Sequence, residues 1–442
     1  MTHIIDLPSE ILEFIGDFLD KRAILKVTVQ NSTTIAAAAA TTATTATATI
    51  ATATTAAVRD SLLNIETLRA HARSDVDIRL RHPTGGRSTK VWEAISESLQ
   101  KPRQIKVGGP SGLPKFEIDV QVSFWRAVSR FEELDYSSGV DQLGIDPHQW
   151  ADLSGLQRLS YRNSSRSGVD HLQLKLFGPC HGLTRLRWLR GSGAFLAKDF
   201  LQCLIRSDWP LLDDLALDRI SQSDLEFSPI IRHLPPLKHL RLDFGAFGPL
   251  SFGYLREYHF ETLRTLDLMK SDRFTSRMAL AVLHRCPHLE DFMGREIFMS
   301  HVVSMSIRPW VCSGLKRLGV YFANDFELHD TAGASAANRL VLEHLSRLTS
   351  LEEMDMLLNG TQRLIRSKKV RACRWRLGAG LEQLKTLTRL CIVRFDYMRV
   401  EDVRWMVGHW PELRVLQGHI SSDTGTQRQV NELLSERRIK RE

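Results

Sequence analysis

One six-residue window, Leu263-Arg264-Thr265-Leu266-Asp267-Leu268, recurs along this chain often enough to dictate how it must fold. Leucines stand at its first, fourth and sixth positions. The last three residues therefore alternate at the strand period, with leucines on one face and Asp267 on the other. Eleven windows share the form, and their fourth positions are Leu134, Leu159, Leu186, Leu215, Leu240, Leu266, Phe292, Leu318, Met354, Leu390 and Leu416. The steps between them are 25, 27, 29, 25, 26, 26, 26, 36, 36 and 26 residues. One such strand cannot cover its own apolar face. Stacking each strand on the next copy covers it, so the spacing predicts a long array of repeats.

The stretches between windows fit that array. In Trp209-Pro210, Leu234-Pro235, Cys286-Pro287 and Trp410-Pro411 the proline stands two residues before the first apolar anchor of the next strand. Proline ends a helix and pushes its predecessor into extended backbone, so each pair predicts a helix-to-strand corner. Before Cys286, Met278 and Val282, with Leu280 and Leu283, lie at helical spacing. Further helices are expected near 198–206, 339–348 and 401–408. Asp77-Ile78-Arg79-Leu80 and Gln104-Ile105-Lys106-Val107 read as degenerate strands. Leu80 to Val107 and Val107 to Leu134 are 27 residues each, which places the start of the array near residue 62. The pattern resembles the irregular leucine-rich repeats that have a Cys-Pro or Trp-Pro before the strand. The expected fold class is α/β, a leucine-rich-repeat solenoid with parallel strands on the concave face and helices on the convex face.

Apolar residues make up 43% of the 442-residue chain and charged residues 25%, which excludes wholesale disorder. The formal net charge of +8 comes from 59 basic against 51 acidic residues, a weak pull toward acidic partners. The six cysteines are scattered without a CxxC pair, so a reducing compartment, cytoplasm or nucleus, is expected. No cofactor is expected.

Five carboxylates, Asp6, Glu10, Glu13, Asp17 and Asp20, precede the first basic residue, Lys21, the opposite of a secretory signal. The long uncharged stretch 28–58 is Ala and Thr and makes a poor membrane span. Residues 7–29 read as two short helices. Pro8 suits a first turn, Ile11, Leu12, Ile15 and Leu19 share a face, and Asp20 is placed to cap a second helix holding Ile24, Leu25 and Val27. Their apolar surface exceeds what so short a segment can cover. The run Leu7-Pro8-Ser9-Glu10-Ile11-Leu12 resembles the opening of the F-box motif, whose helices bind the Skp-type adaptor of a cullin-based ubiquitin ligase while C-terminal repeats choose the substrate. The resemblance implies that Leu7, Pro8, Ile11, Ile15, Leu19 and Leu25 face the adaptor. An ordinary amphipathic helix docked on the repeats is the plain alternative.

The resemblance ends where an F-box continues into a third helix, since residues 33–57 hold 12 Ala, 11 Thr and 2 Ile. Such a run has no apolar stripe, so a solvated weak helix or a disordered linker is expected. The domains are then an F-box-like helical segment (1–32), an Ala/Thr low-complexity linker (33–57), the repeat solenoid (58–420) and a polar, basic tail (421–442). In that tail Arg437-Arg438-Ile439-Lys440-Arg441 reads as a frayed end rather than a nuclear address. Residues 82–90 and 108–112 resemble a phosphate loop and a nucleophile elbow, but both lack the defining residues and read as turns.

His284-Arg285-Cys286-Pro287-His288 offers no second ligand cluster, and no Ser, His and Asp set is joined by a motif, so neither a metal site nor catalysis is expected. Two surfaces remain. The first is the outward row Ser160, Arg162, Arg187, Asp218, Arg241, Asp243, Asp267, Tyr321 and Asp355, whose mixed charge suits a protein partner better than nucleic acid. An evenly solvated sheet face is the bland alternative. The second is the basic insertion Arg363, Arg366, Lys368, Lys369, Arg371, Arg374 and Arg376, which suits an acidic or phosphorylated segment if it is more than a solvated loop. Together these predict a non-catalytic substrate-recognition subunit of a Skp/cullin/F-box-type ubiquitin ligase. The alternatives are a repeat scaffold with no ligase link and a basic nucleic-acid-binding solenoid, whose stripe Asp218, Asp243, Asp267 and Asp355 would interrupt.

Overall fold

The computed structural model describes residues 24–29, 46–49, 76–81, 104–108, 126, 128–129, 131–137, 152–162, 180–189, 197–206, 209–218, 223–243, 247–305, 309–326, 330–356, 371–372, 381–394, 400–419 and 423–441. The chain forms two compact units, Met1–Asp214 and Leu215–Glu442.

In the first unit β1 (Ile24–Val29) lies between β2 (Ala46–Thr49) and β3 (Val76–Arg81) in an antiparallel sheet. Val27 stands opposite Ala48 on one side and Ile78 on the other. This corrects the expected second helix, because Ile24, Leu25 and Val27 belong to a strand. Ile-Leu-Lys-Val-Thr-Val is rich in β-branched residues, and that preference outweighs an apolar spacing that also fits one turn of helix. Part of the Ala/Thr run, expected as a weak helix or disordered linker, pairs as β2 with the same strand.

The parallel sheet of this unit holds β4 (Gln104–Gly108), β5 (Glu133–Ser137), β6 (Arg158–Arg162) and β7 (Arg185–Leu189). Ile105, Leu134, Leu159 and Leu186 share one register level. Ile105, not Val107, is therefore the counterpart of Leu134, and the strand holding Leu80 belongs to the antiparallel sheet. In Gln-Ile-Lys-Val either apolar residue satisfies the alternation, and only pairing distinguishes registers two residues apart. Helix α1 (Ala197–Ile205) follows β7, near the expected position.

Strand β8 (Asp214–Asp218) starts at the last residue of the first unit. The second unit then alternates α2 (Asp224–His233), β9 (His239–Asp243), α3 (Pro249–Tyr258), β10 (Thr265–Asp267), α4 (Ser276–Arg285), β11 (Asp291–Phe298), α5 (Met299–Met305), β12 (Arg317–Asn324), α6 (Thr331–Ser346) and β13 (Glu353–Asp355). After the short strand β14 (Arg371–Ala372) and a 3-10 turn at Leu381–Gln383 come β15 (Arg389–Arg394), α7 (Val400–His409), β16 (Val415–His419), α8 (Thr424–Glu436) and β17 (Lys440–Arg441). Leu240, Leu266, Phe292, Leu318, Met354, Leu390 and Leu416 stand at one level of the parallel sheet. All seven are at most 3% exposed. The arrangement is α/β of the leucine-rich-repeat type.

One backbone device repeats from rung to rung. The carbonyl of Lys238 accepts the amides of Arg264 and Thr265 at 2.7 and 2.9 Å, Arg264 accepts those of Glu290 and Asp291, and Glu290 those of Lys316 and Arg317. The series continues through Lys316, Glu352 and Thr388, across both 36-residue steps. Extra length is thus absorbed between rungs and leaves the strand pairing intact. Part of the first insertion forms the start of α6, where the Asp330 carboxylate accepts the Gly333 amide at 2.7 Å.

The corners follow the prolines. Leu234 and Cys286 are extended C-caps, each followed by proline, and their amides still donate into the last helical turn. Pro229 inside α2 removes an amide, and the Ser228 hydroxyl donates instead to the Leu225 carbonyl at 3.4 Å. The basic end is not frayed. Beneath α8, β17 pairs with β16, placing Lys440 beside Val415 and Arg441 beside Leu416.

Candidate protein-interaction surface

Alternation turns two rows of side chains away from the leucine core, one just before and one just after the central apolar position of each window. From the expected row, Arg162, Arg187 and Arg241 are exposed, while Ser160, Asp218, Asp243, Asp267, Tyr321 and Asp355 are half-buried. Register levels Ser160 with Arg187 in the first unit, and Arg241, Asp267 and Asp355 in the second.

These charges pair with one another. In the first unit Arg158 Nε lies 3.1 Å from Glu133, and the buried Asp214 carboxylate pairs with Arg185 and lies 3.8 Å from Arg187. In the second, Arg241 reaches Asp267 at 3.2 Å, Lys270 pairs with Asp243, and Arg317 bridges Asp291 at 3.5 Å and Glu353 at 3.0 Å. On the loops entering the strands Glu290 holds Arg264 at 2.7 Å and Lys316 at 2.9 Å. Arg389 donates to Gln417 at 2.9 Å. Each pair links one rung to a neighbour, and half-exposed pairs of this kind contribute about 0.2–1 kcal/mol apiece. The face is therefore close to self-neutralised.

Burial raises the Asp267 carboxyl above the ordinary range, opposed by Arg241 and the Met269 amide. Asp291 is raised by the same cause, with Arg317 opposing and Asp267 adding to the rise. The Lys316 bond draws the nearby, more exposed Glu290 below its ordinary value, helped by Arg264.

Sequence reasoning missed the centre of this row. Between Asp267 and Asp355, at the same level, stand Met293 and Gly319, followed beyond Asp355 by Cys391 and Gln417. A Cβ on Gly319 would run into the Met293 sulfur, so the methionine lies across the glycine. The outward face thus has an apolar middle flanked by paired charges. The signal is present in the windows themselves, as two successive rungs, those of Phe292 and Leu318, with no polar residue after the central position.

Leu7, Pro8, Ile11, Ile15 and Leu19 lie outside the described residues, and Leu25 is placed only as a position in β1. Of the basic insertion, Arg363, Arg366, Lys368, Lys369, Arg374 and Arg376 also lie outside them, and Arg371 starts β14, paired opposite Asn324 of β12. Within His284 to His288, Cys286 is buried, His288 is exposed, and His284 Nδ1 meets the Pro309 carbonyl at 3.3 Å. Among the described residues no group of three His, Cys, Asp or Glu side chains is placed to hold a metal, and no helix is long and apolar enough to cross a membrane.

No family model matches the chain, and no curated protein matches it. Among solved structures 43 chains match. One belongs to a crystal structure of the Rad7 and Elc1 complex in yeast, at 10% identity over 75% of this chain and 83% of that one, with a TM-score of 0.36. At that TM-score the likeness carries no weight for function.

Proposed function

We propose that this protein is a non-catalytic recognition subunit, with N-terminal Leu7, Pro8, Ile11, Ile15, Leu19 and Leu25 meeting a Skp-type adaptor and the outward sheet face holding a protein substrate. The observation that carries the recognition half is the register. Side chains from successive rungs stand at one level on a pre-ordered sheet, so a partner can meet many of them at little ordering cost. The mutual pairing of their charges favours a partner matched in shape and mixed polarity over a polyanion, and the Met293 and Gly319 centre inside a polar surround has the layout of a protein interface. Holding a substrate near a charged ubiquitin carrier raises local concentration and requires binding alone. The adaptor half rests on the sequence Leu7-Pro8-Ser9-Glu10-Ile11.

The scaffold without a ligase link is favoured by one feature. Ile24–Val29 is tied into a sheet with Val76–Arg81, as a segment serving only to cap the chain would be. Co-purification separates the two readings. The adaptor reading requires a Skp-type protein to be retained by the full chain and lost on Ile11→Asp with Ile15→Asp, whereas retention indifferent to those changes supports the scaffold.

A further inference from the structure

Three pieces of the second unit meet around His344, near the end of α6. The residue is 4% exposed, and neither ring nitrogen has a hydrogen-bond partner. Its ring stacks on Trp310 at 5.0 Å and 12°, and meets His284 of α4 edge-on at 5.9 Å. Trp310 is itself 5% exposed, with an unpartnered indole nitrogen. A buried imidazole that makes no hydrogen bond is costlier than a leucine in the same place, and protonation would make it a buried cation facing a second histidine.

We propose that His344, with His284 across from it, forms an acid-sensitive latch that holds α6 against α4 and the Trp310 segment at neutral pH and releases it on acidification. The charged surroundings do little to compensate a cation there. From α6 and its C-cap, Glu343 is already engaged by Arg347 at 2.8 Å, and Arg347 disfavours the protonated ring. From α4, Arg285 acts on His284 in the same sense. Helix α5, packed along α6, brings His301, whose Nδ1 meets Ser276 Oγ at 3.0 Å. The 3-10 turn against α6 brings Glu382, and β12 brings Arg317, held by Asp291 and Glu353. The Trp310 face attracts a cation and returns only part of the loss of hydration.

Burial, then His284 and Arg347, push the His344 imidazole down to about 4 from an ordinary 6.5. With the folded value depressed, its contribution is full above the ordinary value and is lost as the pH falls toward the folded one. Between about pH 7 and pH 5 that difference weakens the hold on α6 by about twentyfold. Helix α6 carries part of the extra length of the first 36-residue step, so the latch fastens the rung with the insertion.

Hydrogen exchange on the full chain, expressed as protection factors to remove the intrinsic pH dependence, reads the latch directly. Amides 339–346 should lose about twentyfold in protection between about pH 7 and pH 5 while those of α8 hold, and His344→Phe, which keeps the stack on Trp310, should abolish the change. Unchanged protection in the wild type, or an equal loss in His344→Phe, overturns the proposal. If that variant does not fold, the imidazole proton resonance of His344 in the wild type decides. A midpoint well below 6.5 supports the latch, and one at or above it removes the latch.

Discussion

At the scale of single residues, stability concentrates where a buried polar group is fully satisfied. Asp224, 5% exposed at the start of α2, accepts the amides of Gly248 at 2.9 Å, Leu250 at 2.8 Å and Ser251 at 3.1 Å, and the Ser251 hydroxyl at 2.6 Å. It caps α3 from another helix, because Gly248 has no side chain to do so. Burial raises its carboxyl, but the Ser251 hydroxyl and the three amides outweigh that and hold it below the ordinary range. Asp224→Asn turns a carboxamide toward those donors and should cost about 3 kcal/mol, read as a lower urea midpoint near neutral pH. A depressed folded value means the contribution is full above the ordinary 3.8 and is lost as the pH falls through the folded value. The gap to the wild type should therefore persist under mild acid and close only in strong acid. His259 obeys a related rule. Its Nε2 donates to the Ile231 carbonyl at 2.9 Å and its Nδ1 accepts the Leu237 amide at 3.2 Å, a neutral ring. Burial lowers its value against the Ile231 bond, so its contribution is full above 6.5 and declines below it. Relative to His259→Gln, the wild type should lose urea resistance as the pH falls below that value.

At the scale of elements, the rung is the unit, and its central apolar side chain decides whether it holds. Leu266→Ala, at a position with no exposure, should cost about 2–5 kcal/mol by thermal or urea unfolding. Deleting 421–442 removes α8 and β17 and bares the edge of β16, so the shortened chain should aggregate in light scattering where the full chain does not. Helix ends offer a finer check. Asp423 accepts the Thr426 amide at 2.7 Å, and Asp423→Ala should cost about 1 kcal/mol. Much of this scale was legible in the residues, since leucine spacing located the rungs from Leu134 to Leu416 and proline placed their corners. What was not legible has physical reasons. Ile24 to Val29 carries a spacing that fits either helix or strand, and its partner is about fifty residues away. The start of α6, Thr-Ala-Gly-Ala-Ser-Ala-Ala, has no large apolar residue to announce a face, and Asp330 provides the start signal. The tail looked merely basic because β17 is two residues long and gains its structure only from β16.

At the largest scale, the outward face of each unit carries ion pairs between rungs, and in the second unit they flank an apolar centre. Alternation predicted which residues would face outward but not that they would be paired, since pairing depends on which residue stands at the same level one rung away. Reversing Arg241 and Asp267 together keeps their mutual pairing, so stability should change by under about 1 kcal/mol while a partner reading that order of charge is lost in a pull-down. Met293→Asp, at the apolar centre, should remove the same partner without unfolding the chain, since the side chain is not fully buried. The central claim is that this ordered surface is delivered to a ligase by the N-terminal segment. Titration of the purified full chain with a purified Skp-type adaptor tests it most directly. The expected result is a one-to-one complex that Ile11→Asp with Ile15→Asp abolishes and that the Arg241 and Asp267 reversal leaves intact. An absent complex, or one indifferent to the Ile11 and Ile15 changes, would contradict it.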